Sequence, residues 1–369
     1  MRIAHIVANL EARQGGPSRS VLSLAQAQAT SDGDDQLLTT DREEESFLSG
    51  HLMVKKFRRV CPESISRSSS PNRHLQQNPF DVIHTHSLWL RPRHYARQSA
   101  QLHNVPRVLS PRGIRSAGAW NHHRRRKFWP GKLIHLCALE AARGWHAASA
   151  SEAKAFRDLG FKQPICVAPN AVDLPTAKQR EIAHAHWIKR APHAAQPPVA
   201  LFYSRFHRKK GVIELIDLWH QVAPRDWLLL LVGTPDQLSV ARLETYIVRQ
   251  GVQKPISVFD GTAQPPPYVI AQLFILPTHS ENFGLVVAES LANGVPPLVT
   301  DITPWSEINE VGAGWWVPWQ DFAETVRLAL TESDTERKTR GETGRQWTTT
   351  QSFWHDTASG LRKFYRQIH

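Results

Sequence analysis

Four segments of this 369-residue chain carry side chains whose type and spacing suit chemistry on a phosphorylated, hydroxyl-rich ligand. The most informative runs Leu276-Pro277-Thr278-His279-Ser280-Glu281-Asn282-Phe283-Gly284-Leu285-Val286-Val287-Ala288-Glu289. An apolar run ends at Pro277, a polar loop follows, and a helix is expected from about Gly284. The first amides of a helix lack intrahelical partners and carry partial positive charge, so they favour phosphate or sugar oxygens. Glu281 stands just outside this helix end and Glu289 more than a turn inside, at most roughly 12 Å apart along the axis. Two carboxylates so placed can grip hydroxyl-bearing rings on either side of a diphosphate. The plainer alternative is a dipole partner and a solvated helix residue.

The second segment, Tyr203-Ser204-Arg205-Phe206-His207-Arg208-Lys209-Lys210-Gly211, follows a predicted strand and ends at a helix start. Ligands of open α/β sheets bind at the carboxyl ends of strands, where Arg205 and Lys210 can converge on phosphate oxygens. A basic surface loop is the alternative. Third is Gln14-Gly15-Gly16-Pro17, whose glycines let backbone approach a ligand or simply make a turn. Fourth are His84, His86 and Arg112 near the ends of two strands. His86 can exchange a proton with a sugar oxygen, or it can be a structural histidine.

Positioning these segments requires strands and helices in alternation, and the chain supplies them. Strands are expected at Ile3–Ala8, Val82–His84, Arg107–Leu109, Trp145–Ala148 and Ile165–Ala168, with helices over Ser18–Ala29 and Leu133–Ala142. Another helix begins at Ser149-Ala150-Ser151-Glu152, a capping-box tetrad. Pro169–Asp173 reads as a boundary, and 174–197 as a connector of weak pattern. A second series follows at Ala200–Tyr203, Trp227–Val232, Ile256–Phe259, Phe274–Leu276 and Pro297–Thr300. Alternation of this kind predicts parallel sheets, and the length suits two α/β domains.

Charge separates the halves. Lys plus Arg outnumber Asp plus Glu by 45 to 33, and residues 1–173 hold 25 basic and 14 acidic side chains. Such asymmetry calls for an acidic partner of the first half: nucleic acid, anionic lipid or phosphorylated substrate. The three cysteines, Cys61, Cys137 and Cys166, are too few and too scattered for a disulfide framework or a thiolate zinc site. No apolar stretch approaches the length of a membrane span, and the N-terminus reads as a first strand rather than a signal peptide, so a cytoplasmic protein is expected.

Taken together and in order, the segments resemble a family 4 (group 1) glycosyltransferase of the GT-B fold. The family's paired glutamates stand as Glu281 and Glu289, with Phe283-Gly284 between them and Ala292-Asn293-Gly294-Val295-Pro296 after them. Its basic phosphate signature matches Arg205 and Lys210-Gly211, its Gly-Gly loop Gly15-Gly16, and its boundary motif Pro169–Asp173. Ser110-Pro111-Arg112-Gly113, Thr303-Pro304-Trp305 and Gly314-Trp315-Trp316-Val317 resemble transferases of bacterial surface polysaccharide or lipopolysaccharide synthesis.

The resemblance implies two Rossmann-like α/β/α domains facing across a cleft. Residues 1–173, with a C-terminal crossing helix at about 352–369, would bind the acceptor, and 174–351 the nucleotide-sugar donor. It implies retaining transfer to a glycan or lipid-linked acceptor, with no metal and no cofactor beyond the donor itself. Arg205 and Lys210 would neutralise the diphosphate, Glu289 hold the ribose and Glu281 the donor sugar. The amides of Asn282, Phe283, Gly284 and Leu285 would meet sugar or phosphate oxygens, and Gly15 and Gly16 would face the donor phosphate and acceptor.

The chain also departs from the family. Ser204 and Ala171 replace glycines where positive φ is favoured, and Arg112 stands where many members carry a first-domain histidine. Asp32-Gly33-Asp34 matches the metal-nucleotide motif of the other large transferase fold, but it lies in a polar loop after the first helix, so no metal is expected there. Eight cations fall within 107–132 without an acidic residue, among them Arg124, Arg125, Arg126 and Lys127, interleaved with Trp120, Phe128 and Trp129. That composition suits an anionic membrane face and a peripheral location. The departures suggest an inactive scaffold or partner subunit as the alternative, and the basic block a nucleic-acid-binding protein as a remote one.

Overall fold

A computed structural model describes residues 1–11, 16–29, 34–60, 68, 70–86, 92–112, 139, 141–222, 226–252, 255–351 and 354–369. The chain divides into two compact units: Met1–Asn170 with Trp354–His369, and Ala171–Phe353. Each is built on its own sheet.

The first sheet holds β1 (Ile3–Val7), β2 (Gln36–Asp41), β3 (Glu45–Ser49), β4 (Leu52–Arg58), β5 (Val82–His86), β6 (Arg107–Ser110), β7 (Gly144–Ala147) and β8 (Ile165–Val167), in the order β3-β4-β2-β1-β5-β6-β7-β8. Every pairing is parallel except that of β3 with β4. The chain winds outward from β1 to β2 and β4, then returns to lay β5 on the other side of β1. This reversal leaves a crevice at the carboxyl ends of β1 and β5. The C-terminal helix Trp354–Ile368 packs on this unit, burying Leu361 and Tyr365 completely.

The second sheet has β9 (Val199–Tyr203), β10 (Leu228–Gly233), β11 (Ile256–Asp260), β12 (Leu273–Leu276), β13 (Pro297–Thr300) and β14 (Trp315–Val317), ordered β11-β10-β9-β12-β13-β14 and parallel throughout. Its central strands, β9, β10, β12 and β13, are covered on both faces and so read as unbroken apolar runs such as Leu228–Val232, all buried. Here the winding reverses between β9 and β12, which pair directly. The Lys210 loop follows β9 and the Glu281 loop follows β12, so both leave the sheet at one crevice.

The structure revises several sequence expectations. Residues 174–197 are not a mere connector: Ala177–Arg190 is a helix opened by a Thr176/Gln179 capping box, and its Trp187 is fully buried, donating Nε1–H to the Pro265 carbonyl. Strands β2, β3, β4 and β14 lie outside the set expected from the sequence. Neither Ser204 nor Ala171 has positive φ; among the described non-glycine residues only Asn104, Arg112 and Ala263 do. Most of the expected helix over Leu133–Ala142 (133–138 and 140), Asp32 and Gly33 of the Asp32-Gly33-Asp34 motif, Gly15 and the basic residues Arg124, Arg125, Arg126 and Lys127 lie outside the described residues. No helix of the described residues is long and apolar enough to cross a membrane.

Candidate active site

In the second unit the loops after β9 and β12 are stitched together. The Lys209 carbonyl accepts from Thr278 Oγ1 at 3.0 Å and from the His279 amide at 2.8 Å. Gly211 permits this approach. Its φ is +70°, and a Cβ there would stand 1.8 Å from the Pro277 carbonyl oxygen, so only glycine fits. Thr278 is also anchored from the next strand, its carbonyl accepting from Thr300 Oγ1 at 2.6 Å.

This stitching brings Lys210 and Glu281 into contact. Lys210 Nζ pairs with Glu281 Oε2 while the two side chains are only 12% and 13% exposed. The other carboxylate oxygen, Oε1, accepts from the Asn282 amide at 3.1 Å. Gly284 adopts φ +80° and caps the helix Leu285–Ala292, which therefore starts one residue later than about Gly284. Trp305 fastens the turn, donating Nε1–H to the Phe283 carbonyl and meeting the Phe283 ring edge-on at 5.1 Å. The result is a rigid helix entrance with a cation and a carboxylate poised beside it.

Arg205 is placed differently. It pairs with Asp236, beyond β10, at 3.2 Å, and its side chain is 44% exposed. Glu289 lies inside the helix and is buried, and Tyr268 donates its hydroxyl to Glu289 Oε2 at 3.1 Å. Tyr268 belongs to a short 3-10 turn, Pro267–Ile270, and is absent from the four segments read in the sequence.

The first unit places histidines at its own reversal point. His5 on β1 and His84 and His86 on β5 are buried in one cluster, their ligand atoms within 4.8 Å of one another. The partners assign the protons. His146 Nε2 faces the Ala168 carbonyl at 2.8 Å and must donate, so His146 Nδ1 accepts from the Ser110 hydroxyl at 2.7 Å. Ser110 Oγ then accepts from His84 Nε2 at 2.6 Å, and His84 Nδ1 accepts from the Tyr365 hydroxyl at 2.6 Å. A parallel chain runs from Arg112 Nε to His86 Nδ1 at 3.4 Å and from His86 Nε2 to His5 Nδ1 at 3.1 Å. The lone pairs a metal would need from His5, His84 and His86 are thus engaged within the protein. Burial is the main cause holding all four imidazoles neutral: His5 and His146 fall to about 3, and His84 and His86 lie well below the usual histidine range.

Arg112 sits at φ +49°, a left-handed conformation that costs a non-glycine residue energy. It is held there by Nη1 donating to Ser20 Oγ at 2.6 Å and to Asn170 Oδ1 at 3.2 Å. Burial lowers its pKa to about 10, still far above neutrality, so the guanidinium is charged. Of the expected capping box the Ser149 half forms, Oγ accepting from the Glu152 amide at 3.2 Å, while Glu152 Oε2 accepts from the Ala148 amide at 2.8 Å, one residue before the cap. Gly16 is the first residue of the helix Gly16–Gln28.

Two family models divide the chain between them: Glycosyltransferase Family 4 matches residues 14–175, and Glycosyl transferases group 1 matches residues 185–347. The chain belongs to the group 1, family 4 glycosyltransferases. This glycosyltransferase is 26% identical over 329 residues to a GDP-mannose:cellobiosyl-diphosphopolyprenol alpha-mannosyltransferase of Xanthomonas oryzae pv. oryzae, the match covering 85% of this chain and 82% of the relative. Its fold matches that of sucrose-phosphate synthase from Thermosynechococcus elongatus with a TM-score of 0.77 at 19% identity, covering 100% of this chain and 99% of that one. It matches Anabaena HepE, solved with UDP and glucose, with a TM-score of 0.76 at 16% identity over 100% of both chains. The two doubly wound units of the glycosyltransferase are those of the GT-B fold.

Proposed function

We propose that this glycosyltransferase is a retaining, hexosyltransferase-type enzyme. It moves a sugar from a nucleotide-diphosphate sugar to a glycan or lipid-linked acceptor in surface polysaccharide or lipopolysaccharide synthesis. The observation that carries this reading is the meeting of Lys210 and Glu281 at the reversal point between β9 and β12, beside an open helix end. The Xanthomonas relative, named for a GDP-mannose donor and a lipid-linked acceptor, supports the substrate class.

In this reading Lys210, with Arg205 at the rim, meets the charge that develops on the diphosphate as the glycosidic bond breaks. Fixed cations and amides stabilise that charge without reorganising. Side-chain cations fill the role a divalent ion would otherwise take, so no metal is required. Glu281 accepts hydroxyls of the donor sugar and Glu289 those of the ribose, while the amides of Phe283, Gly284 and Leu285 approach sugar or phosphate oxygens. Acceptor recognition is assigned to the first unit, with Gly15, Gly16 and Arg112. The basic block around Arg124–Lys127 is assigned to an anionic membrane surface, which places the enzyme peripherally on the cytoplasmic face.

A panel of UDP- and GDP-sugars, assayed for nucleotide release with and without EDTA, tests the reading. Release from at least one donor is expected, undiminished by EDTA, with the product's anomeric configuration matching the donor's by NMR. Silence across the panel with a range of lipid-linked and glycan acceptors would refute it.

A further inference from the structure

The Tyr268 hydroxyl donates a hydrogen bond to Glu289, and nothing in the sequence motifs calls for it. Tyr268 is 1% exposed, and its hydroxyl lies 3.1 Å from Glu289 Oε2 and 2.9 Å from the Val286 carbonyl. A phenol has one proton, so the two acceptors share it, and the charged carboxylate is the stronger of them. The ring cannot swing away. Tyr203, the last residue of β9, meets it edge-on at 5.5 Å, and Phe274 on β12 does so at 5.9 Å. Ring, helix and both strands at the reversal point therefore set where this carboxylate sits.

Glu289 needs such a support. A glutamate on the second turn of a helix has three side-chain torsions, and ordering them on ligand binding costs free energy each time. A carboxylate already held at one oxygen has that ordering done in advance. Val286, one helical turn earlier, is bound by the same hydroxyl, so the phenol ties the carboxylate to its own helix backbone.

We infer that Tyr268 is a positioning residue that orients Glu289 for a vicinal diol, and thereby sets the preference of this site for ribonucleoside over deoxyribonucleoside diphosphates. This rests on the reading of Glu289 as the ribose-binding carboxylate. Tyr268 does not touch the ligand; it acts through Glu289.

The experiment compares Tyr268→Phe and Glu289→Gln with the unaltered enzyme, measuring by calorimetry the affinity for UDP and GDP and for their 2′-deoxy counterparts. Tyr268→Phe keeps the ring and its edge-on packing, and its fold is checked by circular dichroism and thermal melting. The unaltered enzyme is expected to prefer the ribonucleotide by about tenfold or more, the size of a hydrogen bond to a charged group. Glu289→Gln should bring that ratio near unity. Tyr268→Phe should cut it by about threefold or more, weakening the ribonucleotide while leaving the 2′-deoxy affinity unchanged. A merely structural tyrosine would weaken both nucleotides alike and leave the ratio intact, which overturns the inference. A collapsed ratio in Glu289→Gln beside an intact one in Tyr268→Phe removes the positioning role but keeps the ribose reading. An intact ratio in Glu289→Gln, or none in the unaltered enzyme, removes the ribose reading and the inference with it.

Discussion

Lys210 and Glu281 are paired with each other across the crevice where β9 and β12 diverge, both largely shielded from water. The two residues proposed to hold opposite parts of one donor therefore hold each other. Binding has to exchange this contact: the diphosphate takes the ammonium and a sugar hydroxyl takes the carboxylate. The pair keeps a largely buried cation from standing uncompensated, and it sets a threshold that ligand contacts must exceed.

Neutralising the carboxylate should separate these effects. In Glu281→Gln the ammonium loses its anionic competitor, so UDP or GDP, whichever the enzyme uses, should bind about three- to tenfold more tightly. Turnover should fall by at least about a hundredfold, because the sugar loses its carboxylate. Calorimetry beside steady-state kinetics reads both, and weaker nucleotide binding in Glu281→Gln would contradict the exchange.

The two basic residues should not be equal. Lys210 is shielded and faces the helix end, whereas Arg205 is 44% exposed and engaged with Asp236. Water screens an exposed cation far more than a buried one. Lys210→Ala is expected to lower kcat/KM for the donor by at least about tenfold more than Arg205→Ala, with both variants folded. Equal losses would place the diphosphate at the rim instead.

The buried histidines make the first unit sensitive to acid. Each imidazole titrates near 6.5 when unfolded and well below that when folded, mainly through burial. Between those values the unfolded chain binds more protons, so stability is fully present above about pH 6.5 and is lost as pH falls toward 3. Each histidine contributes a slope of about 1.4 kcal/mol per pH unit within its window. Asparagine at 146 retains a donor and an acceptor but does not titrate. His146→Asn should therefore flatten the pH dependence of hydrogen exchange in β5, β6 and β7 between pH 5 and 7, after correction for intrinsic rates. An unchanged slope would mean that His146 is charged in the folded state.

What the sequence makes legible follows from how each element is buried. The sandwiched strands β9, β10, β12 and β13 bury both faces, so their apolar runs stand out, and the loops after them carry Lys210, Glu281 and Glu289 in readable spacing. The helix Ala177–Arg190 buries only Ala183 and Trp187, too narrow a stripe to register as periodicity. Strand β3 is almost wholly exposed and takes its conformation from pairing with β4. The histidine chains defeat pattern reading for the opposite reason. His5, His84, His86 and His146 are polar residues at core positions, and distant partners such as Tyr365 for His84 and Ala168 for His146 support them there. Tyr268 is hidden likewise, since its role depends on a contact with a helix beginning 17 residues later.

The cluster Arg124, Arg125, Arg126 and Lys127 carries a prediction that depends on composition alone. Cations beside Trp120, Phe128 and Trp129 are expected to bring the enzyme to anionic vesicles and not to neutral ones. Replacing the four by alanine should abolish the difference in a flotation assay, and raising salt should weaken it. Equal binding to both vesicle types, unaltered by the replacement, would assign the block another purpose.

The C-terminal helix is secured by a charge pair that should be revealing when broken from each side. Asp35 is fully buried; its Oδ1 accepts from the Ile3 amide at 2.8 Å and its Oδ2 pairs with Arg362, which also donates to the Gln28 carbonyl. Burial pushes the Asp35 pKa up, opposed by the Ile3 amide and by Arg362. Removing the guanidinium leaves a carboxylate deep in the unit without its paired cation, which typically costs about 3–5 kcal/mol. Arg362→Ala is therefore expected to destabilise the first unit by that order in chemical denaturation. Asp35→Asn added to it should recover part of the loss, because the neutral amide no longer needs a counter-charge, while its oxygen can still accept from Ile3. Additive losses in the double variant would show that Arg362 contributes through packing of its stem against the helix Gly16–Gln28, and that the ion pair itself is incidental.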